Sequence, residues 1–584
     1  MKESEILTKA PGAGAIYGNT LESFVVAEIP STMQNESLVF AENTTSFANE
    51  PTYFFSPYPY DTEGWKARHA EHVECLGPRG PITDNVRVFR GHPRNFPDPG
   101  LGSYEILGMD RDLCFERETR LGPYGLPTAF EEGDDLDWDG VNWGELQSHC
   151  QNRNKARFDV NVSPGLYNTL EKSEQAISDG QVLNSETQDR IEARWNPSKA
   201  QEDEPSRQTP PKDKEPRTSI LLRADTGREY TNNDRQVIRS LITELSLRSG
   251  GEYQVFLLVY VKEDMDIWSS DESYRLIIEK HIPREFWDMT ILWNTAMIQK
   301  AYPALAPDAL LEPSLQFSPV QLFMQEHREF DYVWNWGIDA RVIGHHYDML
   351  TRLAEFAKKQ PRKGLWERNQ RYYIPSFNGH YDTVFRQTVE EAHAAGSVWG
   401  PPDIPAIQPV GLKPPVATAE EDDYKWGVGE EADLITLSPI FKVDGSDQVR
   451  GHRPGADLPH RAQLLRMSRK LVDVMHNEAV RGNHLAPETV ALVHGLKAVY
   501  APVPVYFDRA WDGAQLERWL NDGPRGERGM EWGMGATWDS RAVTPQRLYN
   551  HWLGYEDARV GGLEWEAGHG RPCLPGMVLY PVGE

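Results

Sequence analysis

The stretch that decides the fold is TSILLRADTGREYTNNDRQVIRSLITELSLRSGGEYQVFLLVYV (218–261). TSILLRA (218–224) is a short apolar run bounded by polar residues, as expected of a strand buried on both faces. NNDRQVIRSLITELSLRSGG (232–251) then places Val237, Ile238, Leu241, Ile242 and Leu245 on one helical face. An Asn at its start is a candidate N-cap, and Gly250-Gly251 mark its end. YQVFLLVYV (253–261) is the next buried strand.

The alternation continues. SYRLIIEKHI (273–282) reads as a helix, MTILW (289–293) as a strand, VQLFMQEHREF (320–330) as a helix and DYVWNW (331–336) as a fourth strand. This grammar predicts βαβ units with right-handed crossovers. The expected fold class is α/β, a Rossmann-like, mainly parallel sheet flanked by helices, over residues 217–584. Ahead of it, residues 1–150 are dense in turns, with FFSPYPY (54–60), CLGPRGP (75–81) and LGPYGLP (121–127). They predict an irregular extension that packs on the α/β domain. Residues 151–216 are polar and include QEDEPSRQTPPKDKEPR (201–217), which has little to bury and reads as a partly disordered linker.

The chain has 584 residues and carries 88 acidic against 61 basic residues, a formal charge of −27. No Lys/Arg-rich block is present, which argues against a nucleic-acid partner. No apolar window is long enough for a transmembrane helix, and the first thirty residues have no secretory pattern. The expected location is therefore cytoplasmic. The four cysteines, Cys75, Cys114, Cys150 and Cys573, match no zinc spacing and leave any disulfide pairing open.

In open α/β sheets, ligands bind beyond the carboxyl ends of the strands, near a switch point in strand order. The first strand ends at Arg223-Ala224-Asp225, and the loop Thr226-Gly227-Arg228-Glu229-Tyr230 leads into the helix. Arg223 and Asp225 are candidates for lining a diphosphate pocket, with Tyr230 as an aromatic to stack on a base. A structural ion pair is the competing reading for Arg223. The fourth strand runs into Asp339, with Arg341 two residues on. A carboxylate there is suited to a divalent metal that bridges to phosphates, although an Asp capping a turn looks the same. No Gly-x-Gly-x-x-Gly or Walker pattern occurs, so ordinary dinucleotide and ATP fingerprints are absent.

Several strings, among them GSYEILGMDRDLCFERETRLGPYG (102–125), FDYVWNWGIDAR (330–341), WGVGEEADLITLSPIF (426–441) and HGLKAVYAPVPVYFDRAW (494–511), resemble a mostly fungal family, domain of unknown function 3405. That family is grouped with glycosyltransferase-A-like folds, so the resemblance implies sugar transfer from a nucleotide-diphosphate sugar to a small-molecule or glycan acceptor. It implies that Asp339 is the analogue of the family's metal-binding carboxylate. The position two before it, usually Glu, is Gly337 here, so a divalent ion (Mn2+ or Mg2+) would be one ligand short. It also points to the acidic motif after Trp426, with Glu431, Glu430 or Asp433 as the base that takes the acceptor's proton.

His494 is a second candidate metal ligand, against a plain core histidine. Arg362 and Lys363, in the basic stretch 358–373, are candidates for the donor phosphates. Trp336, Trp426 and Lys497 are candidate substrate contacts. His345-His346 read as helix-start packing. The contrasting expectation is a degenerate relative that binds a sugar nucleotide or glycan without turnover, a reading that Gly337 favours.

Overall fold

A computed structural model describes residues 53–583 except 83–85, 91–96, 128–135, 159–211, 263–266, 268–269, 311–313, 394–397, 405–406, 441–463, 508–510, 522–535, 539–543, 557–561, 563, 565 and 567–572. Most of the polar segment 151–216 lies outside the described residues.

The centre is a seven-stranded sheet built from β1 (Thr218–Asp225), β2 (Tyr253–Tyr260), β3 (Thr290–Trp293), β4 (Tyr332–Gly337), β5 (Leu434–Thr436), β6 (Leu464–Ser468) and β7 (Ala498–Tyr500). Its order is β7-β5-β6-β4-β1-β2-β3. β1 pairs in parallel with β2 and β4, β2 with β3, and β5 with β7. β6 alone is reversed, antiparallel to both β4 and β5. The 3-2-1-4 portion is the order of a doubly wound sheet, and its switch point falls between β1 and β4.

Side chains alternate between two helical layers, as the period of a strand requires. Ile220, Leu222, Leu257, Trp334 and Trp336 enter one core with α2 (Asn232–Leu241) and α5 (His346–Lys359), while α1 (Trp143–Asn154) lies along this layer. Leu221, Phe256, Leu258, Val333 and Leu465 enter the other. That core includes α4 (Ser318–Glu326), α6 (Arg469–Val480) and α7 (Pro487–His494). The third helix, α3 (Asp271–His281), follows β2.

The expected strands and helices appear with small offsets. Thr231, rather than an Asn, caps α2, and its hydroxyl and Asp234 form a reciprocal capping box. The helix then widens into a π-helical turn, Ile242–Leu247, before Gly250 and Gly251, both at positive φ (67° and 90°), end it.

That π turn points Glu244 into the interior at 1% exposure. Its carboxylate accepts hydrogen bonds from Tyr124 Oη (2.9 Å) and the backbone N of His346 (2.9 Å) and forms an ion pair with Arg120 at 2.7 Å. Burial alone would raise its pKa, but Arg120 and the two histidines hold it far below the usual carboxylate range. His345 caps α5 through its ring, so the two histidines do organise a helix start. The same region ties the chain's earlier segments to the sheet. Gln147 of α1 brackets Val255 of β2 through both backbone groups (3.1 and 2.8 Å), and Leu113–Glu116 pairs with Cys573–Pro575. Disulfides Cys75–Cys150 and Cys114–Cys573 resolve the pairing that spacing left open.

Candidate functional site

The register divides the candidate residues between two opposite edges of the sheet. On β1 and β4, Arg223 is level with Gly337, so Asp225 and Asp339 each lie two residues past the last aligned pair. On the other side, Leu434 is level with Met467, and Met467 with Val333. Asp433 therefore lies at the level of Tyr332, the first residue of β4. The acidic motif and Asp339 are separated by the length of β4, about 16 Å along the strand direction.

At the carboxyl edge, the loop after β1 folds across the switch point. Arg228 donates to Asp339 Oδ1 at 2.7 Å and to Asp234 Oδ1 at 2.9 Å. Asp234 also receives Arg341 at 2.6 Å. These four residues form one chain of ion pairs, Arg341–Asp234–Arg228–Asp339, anchored on the cap of α2. Arg341 and Asp234 are buried, whereas the Asp339 side chain is 39% exposed. Burial would raise the Asp234 pKa, and the two guanidiniums lower it below its ordinary value.

Beside this chain, Asp225 pairs with Lys262 after β2 at 2.7 Å. Arg223 donates to Gln316 at 3.2 Å on the α4 side. The half-buried Tyr230 packs against the first core with its hydroxyl unpartnered, and burial raises its pKa. Val582 N donates to the Asp339 carbonyl at 2.8 Å, which brings the C-terminal segment to the crevice. Trp336 is 1% exposed and packs edge-on to Trp334 in the first core, so it presents no surface to a substrate.

At the amino edge, the remaining candidates clasp one another. Arg362 forms a two-pronged pair with Glu430 (2.8 and 2.7 Å), donates to the Gly495 carbonyl and lies over Trp426 at 5.0 Å. Lys363 donates to the Asp422 carbonyl at 2.8 Å. Lys497 is fully buried, and its Nζ donates to the carbonyls of Gly427, Glu430 and Lys358. Burial lowers its pKa to about 8 against the raising effect of Glu430.

Asp433 accepts from Ser468 Oγ (2.7 Å) and Lys497 N (3.0 Å). Glu431 is bound by Lys358 at 2.9 Å and Arg466 at 3.4 Å, which hold its pKa below the ordinary value despite burial. His494, 5% exposed, ends α7 at this same edge, and burial lowers its pKa.

The structure thus brings Arg223, Asp225, Tyr230, Asp339 and Arg341 together. It places Arg362, Lys363, Trp426, Glu430, Glu431, Asp433, His494 and Lys497 elsewhere. Asp339 and His494, paired above as metal ligands, do not share a site. Among the described residues, no three His, Cys, Asp or Glu are grouped to hold a metal ion. Arg228, Lys262 and Asp234 were missing from the candidates. Their signal was positional: Arg228 and Lys262 lie in the loops just past β1 and β2, where a parallel sheet binds its ligands.

Residues 114–584 match the model of a family described as protein of unknown function DUF3405, so the chain belongs to that family. No curated protein and no solved structure matches it.

Proposed function

Taking the chain as a member of that family, we propose that it transfers a sugar from a nucleotide-diphosphate sugar to a small-molecule or glycan acceptor, on a glycosyltransferase-A-like fold. The observation that carries this reading is the Arg228–Asp339 bond, which spans the switch point of a doubly wound sheet beyond its carboxyl ends. Cations and half-exposed carboxylates meet there, the chemistry that a diphosphate joined to a polyhydroxylated sugar requires. In this reading Arg223, Arg228 and Lys262 face the phosphates and Tyr230 borders the base. Asp339 meets the donor sugar.

A transfer that removes a proton from the acceptor needs a carboxylate beside the hydroxyl. On this edge the half-exposed carboxylates that follow or end the strands include Asp225 and Asp339. Glu431 lies at the other edge, about the length of β4 away from this crevice, so in this reading the base role passes to the carboxyl-edge pair.

A release assay over a panel of UDP- and GDP-sugars tests the proposal. Wild type is expected to release nucleotide from at least one donor. Asp339→Ala is expected to lose at least about tenfold in rate, the lower range for a residue acting on the transition state. Glu431→Gln is expected to stay within about twofold. Absence of release from every donor would contradict turnover. Stabilisation by nucleotide without release would favour the second reading, a binding protein, which Gly337 supports by removing a carboxylate from the strand end.

A further inference from the structure

We infer that the donor diphosphate in this crevice is neutralised by Arg228 and Lys262, and that no divalent metal ion is held at Asp339. This rests on the reading of the crevice as a nucleotide-diphosphate site. The residues present do not suit a divalent ion. Such an ion takes several oxygen ligands with free lone pairs at close range. Asp339 Oδ1 faces Arg228 Nη1 at 2.7 Å, and Asp225 Oδ1 faces Lys262 Nζ at 2.7 Å and Gly227 N at 2.7 Å. Each strand-end carboxylate is thus already matched to a positive charge. An added dication at either oxygen would sit against that charge and be repelled. The position level with Arg223 on the neighbouring strand is Gly337, which supplies no ligand. His494 is at the opposite edge.

The same groups suit phosphate oxygens. A guanidinium offers a planar fork of N–H donors, and an ammonium a compact charge. Arg228 is pre-oriented by Asp234 at 2.9 Å, so only its other arm, on the half-exposed Asp339, must change partner. Its Nε is buried with no hydrogen-bond partner among the described residues. Lys262 is 55% exposed and its partner Asp225 38%, so this pair too opens to solvent. Asp339 acts in this view as a placeholder: its carboxylate holds Arg228 until a phosphate takes the guanidinium.

The two roles for Asp339 predict opposite signs. A metal ligand replaced by an amide weakens diphosphate binding, whereas a placeholder replaced by an amide strengthens it. Inorganic pyrophosphate is the probe, titrated calorimetrically into wild type, Asp339→Asn, Arg228→Gln and Lys262→Gln, in EDTA and in Mn2+. Wild type is expected to bind in EDTA, with an affinity that Mn2+ changes by less than about threefold. Asp339→Asn is expected to bind several-fold tighter. Each cation variant is expected to bind about tenfold weaker, the loss of one charge-assisted contact.

Binding that appears only with Mn2+ and vanishes in Asp339→Asn would overturn the cation assignment and leave the nucleotide reading standing. Pyrophosphate binding in EDTA that UDP and GDP fail to displace would instead sink the nucleotide reading and leave the cation assignment. No binding under either condition would overturn both.

Discussion

At the scale of single residues, the depth of an ion pair separates those that hold the fold from those available to a ligand. Glu244 and Arg120 are both almost fully buried, 2.7 Å apart. Removing one partner strands a charge in the interior, which costs about 3–5 kcal/mol. Glu244→Gln is therefore expected to lose about that much in urea unfolding, and an unchanged midpoint would contradict the packing role of the π turn. The Arg228–Asp339 pair is different, since the carboxylate is 39% exposed. Screened pairs of this kind contribute about 0–1 kcal/mol, so Asp339→Asn is expected to unfold within about 1 kcal/mol of wild type. A pair that adds so little stability can exchange partners freely, which is what binding at this crevice asks of it. A loss above about 2 kcal/mol would place Asp339 among the structural residues.

The alternation of strands and helices was legible at the scale of elements because apolar periodicity encodes it directly. β1, β2, β3 and β4 lie within two residues of their predicted bounds. The edge on which each motif lands was legible too, but only by asking whether the motif precedes or follows its strand. Asp339 follows β4, whereas Glu430, Glu431 and Asp433 precede β5, and His494 and Lys497 precede β7. In a sheet where these strands run the same way, the second set falls at the amino edge. The reversed β6 was not legible, because direction is set by long-range pairing rather than by local pattern.

Two elements carry their own tests. Thr231→Ala removes the side-chain cap of α2 and is expected to cost about 1 kcal/mol in thermal unfolding; no cost would contradict the capping box. Glu488, in the first turn of α7, is 4% exposed, and burial raises its carboxyl pKa to about 7. The unfolded value is about 4.3, so the folded protein retains a proton that the unfolded chain has released. Its contribution is full below about pH 4 and is lost as pH rises through about 7. Glu488→Gln is expected to exceed wild type in stability by up to about 3 kcal/mol at pH 8 and to match it near pH 4. Equal pH profiles for the two proteins would contradict a protonated Glu488.

At the scale of the whole molecule, two disulfides join distant segments. Cys75–Cys150 closes 75 residues, and Cys114–Cys573 closes 459. In the chain-entropy account the first alone stabilises by about 4 kcal/mol. Such bonds persist in oxidising compartments, which sets them against the cytoplasmic location expected from the N-terminal sequence. Among the described residues no helix is long and apolar enough to cross a membrane. The non-reduced protein is expected to show no free thiol to a thiol reagent and to lose several degrees of Tm on reduction. Four reactive thiols without reduction would contradict the pairing.

The central claim is that ligands enter between the carboxyl ends of β1 and β4 and not at the amino edge. Hydrogen–deuterium exchange, with and without a saturating UDP- or GDP-sugar, measures this most directly. The expected result is protection of residues 223–231 and 337–341 with no change at 427–433. Protection confined to 427–433, where Glu431 and Lys497 lie, would contradict it.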